Sequence, residues 1–205
     1  LLELDQLSEL AGVSKEDRLA ALKQHGDLIE DRDILCLSYL TLLNANGLYD
    51  EALSILVNHI FHVWEGGEGR VAEQYKICLF ALAERDMESG TYEKAIESCQ
   101  RSLTYPDNLG EGKLFNVPDN RAFYLIGKCY QTLGDAKRAR ENFELATKGS
   151  MEPETVWYYN DQPSDYIYYI GLAYLELGEK GNAKKAFENL FSFGEEHNTD
   201  KVAYD

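Results

Sequence analysis

Three consecutive aromatic residues, Trp157, Tyr158 and Tyr159, form a candidate recognition motif. An amide, a carboxylate and a second amide follow them directly, in the order Asn-Asp-Gln. Aromatic faces offer apolar area while neighbouring polar groups fix orientation, a combination that suits a sugar or a peptide. The preferred alternative is that this loop folds back and buries its rings on the protein's own surface. The three aromatics are candidate binding residues, and both interpretations stay open.

Two histidines have the spacing of metal ligands. His59 and His62 are three residues apart, and Glu65 follows at the same interval. Because a pair without a third clear ligand is a common accident of helix packing, we predict no metal site there. The four cysteines form no Cys-x-x-Cys pair, which is typical of free thiols in a reducing cytosol. No cofactor is expected.

Two glycine-rich segments have the composition of an anion-binding turn. Gly-Glu-Gly precedes Arg70 in one segment and Lys113 in the other. Backbone amides of such a turn can bind an anion when the turn opens a helix. The preferred alternative is purely structural, because Glu68 and Glu111 would repel an anion and glycine permits a positive φ in tight connections.

Catalytic motifs that can be recognised from spacing are absent from the sequence. It contains no Gly-x-x-x-x-Gly-Lys loop, no Gly-x-Ser-x-Gly elbow and no His-Glu-x-x-His helix, so we predict no enzymatic activity. The 36 acidic and 20 basic residues give a net charge of −16, which disfavours nucleic acids and anionic membranes as partners. No apolar run approaches the ~20 residues that cross a bilayer, and we expect a cytoplasmic protein.

A pattern of small and aromatic residues occurs twice in the second half of the chain. The first copy comprises Phe123, Ile126, Gly127, Tyr130, Gly134, Ala139, Phe143 and Ala146. The second comprises Ile167, Ile170, Gly171, Tyr174, Gly178, Ala183, Phe187 and Leu190. Each copy predicts a pair of helices in which small residues permit close approach and aromatic residues fill the space between them. The glycine between the two helices is typical of a left-handed helix cap.

This pattern resembles the tetratricopeptide repeat, a helix–turn–helix unit. Weaker copies of its turn and second helix occur at residues 47–52 and 90–95. The resemblance implies an all-α fold, a right-handed helical-hairpin solenoid of about four such repeats with long loops between them. The repeats are predicted at about 33–69, 76–113, 120–150 and 164–196, within a solenoid of residues 31–205. Residues 1–30 are predicted to form N-terminal capping helices, one of which starts at Ser14 with a capping box to Asp17.

The resemblance also implies a binding surface. Tetratricopeptide repeats usually bind ligands along the wall formed by their first helices, and alignment on the repeat alanine places Phe80, Tyr124 and Tyr168 at one inward-facing position. Arg121 and Lys128 are the nearby cations that would orient an acidic or carbonyl group. The alternative is that these rings pack beneath the inserted loops.

The connecting segments at 64–69, 108–113 and 158–163 are similar to those of a family of large bacterial proteins. Those proteins carry a β-rich domain of unknown function ahead of a C-terminal tetratricopeptide region. The resemblance implies a non-catalytic protein–protein interaction or scaffolding module of a larger bacterial protein. Its partner would be a protein or peptide, including other domains of the same full-length chain.

Two alternative functions remain. In the first, the chain is a ligand-binding or substrate-positioning domain attached to a carbohydrate-active enzyme, and Trp157, Tyr158 and Tyr159 bind the sugar. In the second, it is a structural spacer or an oligomerisation segment.

Overall fold

The structure is a computed structural model that describes residues 1–153 and 164–198. This part of the chain is helical throughout and contains no β-strand, which confirms the all-α prediction. Its α-helices are α1 (Leu2–Leu10), α2 (Lys15–Lys23), α3 (Gly26–Ile29), α4 (Asp33–Ala45), α5 (Tyr49–Asn58), α6 (Arg70–Glu88), α7 (Tyr92–Arg101), α8 (Asn120–Thr132), α9 (Ala136–Ala146), α10 (Tyr166–Glu176) and α11 (Lys180–His197). A short 3-10 turn spans Asp107–Leu109. None of these described helices combines the length and hydropathy that a membrane-spanning segment requires.

The chain forms two compact units. The first unit comprises Leu1–Ser89 and Thr104–Lys113, and therefore contains α1 to α6 and the 3-10 turn. The second unit comprises Gly90–Leu103 and Leu114–Asp205, and contains α7 to α11. The candidate binding residues are divided between them, since Phe80 belongs to the first unit and Arg121, Tyr124, Lys128 and Tyr168 belong to the second.

Helix α4 forms the centre of the first unit, because it packs against α2, α5 and α6. Leu40 and Leu43 on α4 are completely buried, as are Leu56 on α5 and Leu79 on α6. A helix that is apolar on most of its circumference must be covered on most sides, and α4 has that composition. The core of this unit therefore depends on one helix with several neighbours.

The N-terminal helices are attached to each other by a buried ion pair. Arg18 on α2 donates two hydrogen bonds of 2.9 Å to the carboxylate of Asp5 on α1, and a third of 2.6 Å to Glu9. Ser14 Oγ accepts a hydrogen bond from the backbone N–H of Asp17, which confirms the predicted start of α2. A bidentate Arg–carboxylate contact has defined geometry, so it fixes the position of α1 on α2.

The second unit is built from helical hairpins that match the predicted pattern. Helix α8 packs against α9, and α10 packs against α11. In each pair the ring of a phenylalanine lies directly over a glycine: a Cβ atom on Gly127 would be 2.5 Å from Phe143, and one on Gly171 would be 2.4 Å from Phe187. In each pair, therefore, the aromatic ring occupies the volume that a side chain on the glycine would need.

The turns inside these hairpins also agree with the sequence. Gly134 and Gly178 have φ angles of 81° and 80°, the left-handed conformation predicted for a helix cap. The four cysteines are free and buried; they are Cys36, Cys78, Cys99 and Cys129. Cys99, at the repeat position of Phe143, is completely buried, as expected for a packing role.

Candidate functional site

The predicted cations and one predicted aromatic lie where α8 adjoins α10. Arg121, Tyr124 and Lys128 are spaced by three and four residues, which places them along one side of α8. The guanidinium carbon of Arg121 is 5.6 Å from the ring centroid of Tyr169 on α10, and the Tyr124 ring is 6.0 Å from the same centroid. We call the surface formed by Arg121, Tyr124, Lys128, Tyr169 and Glu176 the α8–α10 face.

Lys128 already holds a carboxylate. Its Nζ donates a hydrogen bond of 2.8 Å to Glu176 Oε1, and Gln131 Nε2 donates one of 2.8 Å to Glu176 Oε2. Burial alone would raise the pKa of Glu176, but the hydrogen bonds from Lys128 and Gln131 outweigh it and lower the pKa below its ordinary value. Glu176 is therefore ionised at neutral pH, and a ligand carboxylate at Lys128 would have to compete with it.

Tyr124 packs between the two hairpins. Its ring lies 6.0 Å from the ring of Phe143 and 6.0 Å from that of Tyr169. Burial raises the pKa of Tyr124 to about 12, and the negative charge of Glu176 acts in the same direction. The phenol is therefore neutral at physiological pH and offers a hydroxyl group, not a charge.

The other predicted aromatics have different surroundings. Tyr168 on α10 is 47% exposed, and its ring lies 5.5 Å from Tyr169 and 6.0 Å from Phe187. Phe80, on α6 of the first unit, is only 6% exposed. A ring with so little accessible surface offers almost no contact area to a ligand. Trp157, Tyr158 and Tyr159 lie outside the described residues.

The two histidines with metal-like spacing bind a carboxylate. His59 Nε2 lies 2.8 Å from Asp33 Oδ1, while His62 contacts Asp33 Oδ2 through Nδ1 at 3.1 Å and through its backbone N–H at 2.8 Å. Burial alone would raise the pKa of Asp33, but the hydrogen bonds from both histidines lower it overall. In the described part of the chain, no group of three or more His, Cys, Asp or Glu residues could hold a metal ion.

The two glycine-rich segments bind each other within the first unit. The backbone N–H of Gly69 lies 3.0 Å and 2.9 Å from the two carboxylate oxygens of Glu111. Gly69 is the N-terminal cap of α6, where the helix dipole favours a negative charge. Glu111, which was expected to repel an anion, is itself the anion bound at this turn. A Cβ atom on Gly110 would lie 2.6 Å from the carbonyl oxygen of Phe61, so this glycine permits close backbone approach.

Two residues of the α8–α10 face were missed at the sequence level, Tyr169 and Glu176. Glu176 lies 48 residues beyond Lys128, which is one repeat period plus one helical turn. That offset is the signal that could have identified the pair. Alignment of equivalent positions in successive repeats does not detect the pair, because its two residues differ by one helical turn.

Solved structures of helical proteins resemble this chain weakly. A crystal structure of MamA superposes with a TM-score of 0.46 and 19% sequence identity, covering 96% of this chain and 97% of that one. A double mutant described as MamA RS-1 ArsTM gives a TM-score of 0.46 and 14% identity, covering 97% and 94% of the two chains. At these scores and identities the likeness says nothing about function.

Two family models match segments of the second unit. Residues 121–148 match a family model described as a tetratricopeptide repeat, and residues 165–192 match a second model with the same description. These segments contain the hairpins α8–α9 and α10–α11 almost entirely. The two hairpins are therefore tetratricopeptide repeats, as the spacing of their small and aromatic residues predicts.

Proposed function

We propose that this chain is a non-catalytic protein–protein interaction or scaffolding module that binds its partner on the α8–α10 face. The observation that carries the proposal is the pair of consecutive tetratricopeptide repeats, because repeats of this kind serve as extended binding surfaces. Where α8 adjoins α10, their first helices bring two cations and two tyrosine rings together. Arg and Tyr are among the residue types that contribute most to binding energy in protein interfaces.

The chemistry of this face favours a peptide that carries a carboxylate or carbonyl group beside an apolar side chain. Lys128 and Gln131 donate hydrogen bonds to the carboxylate of Glu176. A peptide carboxylate would accept the same hydrogen bonds in place of Glu176. The rings of Tyr124 and Tyr169 would contact the apolar side chain. Tyr168, whose ring lies 5.5 Å from that of Tyr169, borders this face.

Net charge sets a condition on the partner. A charge of −16 opposes the long-range approach of an acidic peptide. At 0.1 M salt, exposed charges that are more than about 10 Å apart are largely screened from each other. Contacts inside the partly buried site are screened less. Binding should therefore be retained, or become tighter, when the salt concentration rises from very low to physiological values.

The module is proposed to belong to a larger bacterial protein of the cytoplasm. This part of the proposal rests on the similarity of the connecting segments at 64–69 and 108–113 to those of large bacterial proteins. Other domains of the same full-length chain are then among the candidate partners.

A peptide selection tests the proposal. A random peptide library displayed on phage is selected on the immobilised chain, and the enriched peptides are measured against the wild type and two variants. Arg121→Gln removes a cation from the α8–α10 face. Arg140→Gln is the matched control, because Arg140 lies on α9, is exposed and pairs with Glu144 within its own helix.

We expect the enriched peptides to carry an acidic residue beside an apolar one. Their affinity for the Arg121→Gln variant should be about tenfold or more lower than for the wild type. Their affinity for the Arg140→Gln variant should equal that for the wild type. Enrichment of no peptide sequence, or equal affinity for both variants, would contradict the proposal.

A further inference from the structure

Among the described residues of the second unit, the last hairpin carries an exposed apolar surface. We define the end face as the side of α10 and α11 that carries Tyr168, Leu175, Lys180, Lys184, Phe187, Glu188 and Phe191. Leu175 is 47% exposed and Phe191 is 69% exposed. Large apolar side chains that are contiguous and exposed mark an interaction surface more often than isolated ones do.

The preceding hairpin shows what normally covers this surface. Phe143 occupies the repeat position of Phe187, and it is only 3% exposed because α10 packs over it with Ala173 and Leu177. Tyr124 occupies the position of Tyr168 and is contacted by Tyr169 of α10. Within residues 1–153 and 164–198, no helix covers the end face in the way that α10 covers α8 and α9.

At three positions the last hairpin is more apolar than the surface that α10 covers, although Lys180 stands where the covered hairpin has Ala136. Where α8 carries Lys128 and Gln131, the equivalent positions of α10 are Leu172 and Leu175. Thr147 is the C-terminal cap of α9, and the equivalent position on α11 is Phe191. Each replacement exchanges a polar group for apolar area, and burying that area contributes roughly 25 cal/mol per Å². At these three positions, burying the end face would therefore gain more free energy than burying the surface that α10 covers.

The charges on α11 identify an occupant. Lys184 and Glu188 lie one turn apart, 3.4 Å from each other, and flank Phe187. When a second α11 lies antiparallel with the two-fold axis at the level of Ala186, Lys184 of each chain falls opposite Glu188 of the other. Phe191 of each chain then falls opposite Gly181, where an added Cβ would have no atom within 4 Å. In this arrangement opposite charges face each other, and each Phe191 ring faces a position with open space.

We propose that the end face is a two-fold interface through which two copies of this chain associate. An interface of this kind uses the same patch on both partners, and two-fold dimers are the commonest symmetric assemblies. The proposal goes beyond the partner-binding function, because its decisive residues Lys184, Glu188 and Phe191 lie on α11 and not on the α8–α10 face.

Sedimentation equilibrium over a concentration series tests the apolar part of the interface. The wild-type chain should show a reversible monomer–dimer equilibrium, and Phe191→Glu should raise the dissociation constant about tenfold or more. Phe115→Glu is the matched control, because Phe115 is a fully exposed phenylalanine in a loop of the same unit; it should behave as the wild type does. A wild-type chain that stays monomeric at every concentration would overturn the proposal, as would equal effects of the two substitutions.

Charge reversal tests the antiparallel arrangement. Lys184→Glu alone places two carboxylates opposite each other in a homodimer, and Glu188→Lys alone places two ammonium groups opposite each other, so each variant should be monomeric where the wild type is dimeric. An equimolar mixture of the two variants restores opposite charges at both positions and should form a heterodimer. A mixture that associates no better than the separate variants would exclude this interface and would point to a different occupant, such as an amphipathic helix of another protein.

Discussion

Replacing Gly127 by alanine should destabilise the second unit, whereas the same change at Gly171 should not. The added methyl group at Gly127 would lie 2.5 Å from Cε1 of Phe143, and carbon atoms in ordinary contact are about 3.5–4.0 Å apart. The ring must therefore move by about 1 Å. Phe143 is 3% exposed and packs against Ala173, so it has no free volume to move into.

The expected free energies follow from two opposing effects. Overpacking a filled core costs about 1–3 kcal/mol, and exchanging glycine for alanine inside a helix gains about 1 kcal/mol. Because Phe143 has no free volume to move into, the cost at Gly127 should lie in the upper part of that range, at about 2–3 kcal/mol. Subtracting the gain, we expect Gly127→Ala to lower the free energy of unfolding by about 1–2 kcal/mol. At Gly171 the ring that must move is Phe187, which borders the uncovered end face and can shift, so the change should be close to zero.

Urea unfolding followed by circular dichroism measures this difference. It is best performed at the lowest protein concentration that the signal allows, so that association through the end face does not contribute. Gly194→Ala on α11 is the control, because an added Cβ there meets no atom within 4 Å and should stabilise the helix by up to about 1 kcal/mol. A Gly127→Ala variant as stable as the wild type, or equal losses at Gly127 and Gly171, would refute the packing argument.

Three further predictions concern the first unit. Burial raises the pKa of the Cys36 and Cys78 thiols to about 12, so Ellman's reagent should label neither in the native chain at pH 7; rapid labelling of either would show that these helices open. Because the histidine contacts lower the pKa of Asp33, they stabilise the fold above about pH 4, and this contribution disappears as the pH falls through the lowered pKa. The stability advantage of the wild type over Asp33→Asn should therefore be present just above that pH and shrink below it; an advantage that persists unchanged at pH 2 would contradict this assignment. Glu111→Gln should lower the free energy of unfolding by about 0.5–2 kcal/mol by weakening the anionic cap of α6, and an unchanged value would show that the Gly69 contact is energetically neutral.

The helical hairpins could be predicted from the sequence because their determinants are local. Gly127 and Phe143 lie on neighbouring helices joined by a short turn, so spacing alone relates them. The glycines at positions 134 and 178 mark the same turn in both copies, and both have the predicted left-handed backbone. Composition and spacing determine such features before any tertiary structure forms.

The polar contacts between elements could not be predicted from local spacing. Glu176 binds Lys128 across 48 residues, Asp33 binds His59 across 26, and Glu111 binds Gly69 across 42. Each contact joins a charged or polar group to a partner on a different element, and the sequence contains many carboxylates that could have taken its place. Only the packing of the helices and loops selects one of them.

Nuclear magnetic resonance of the isotope-labelled chain, titrated with an acidic peptide from the selection, tests the binding face most directly. The account predicts shift changes concentrated in α8 and α10, with the side-chain signal of Lys128 changing as the peptide carboxylate displaces Glu176. Shift changes confined to α1–α5, or changes in α8 and α10 that leave Lys128 unaffected, would contradict it.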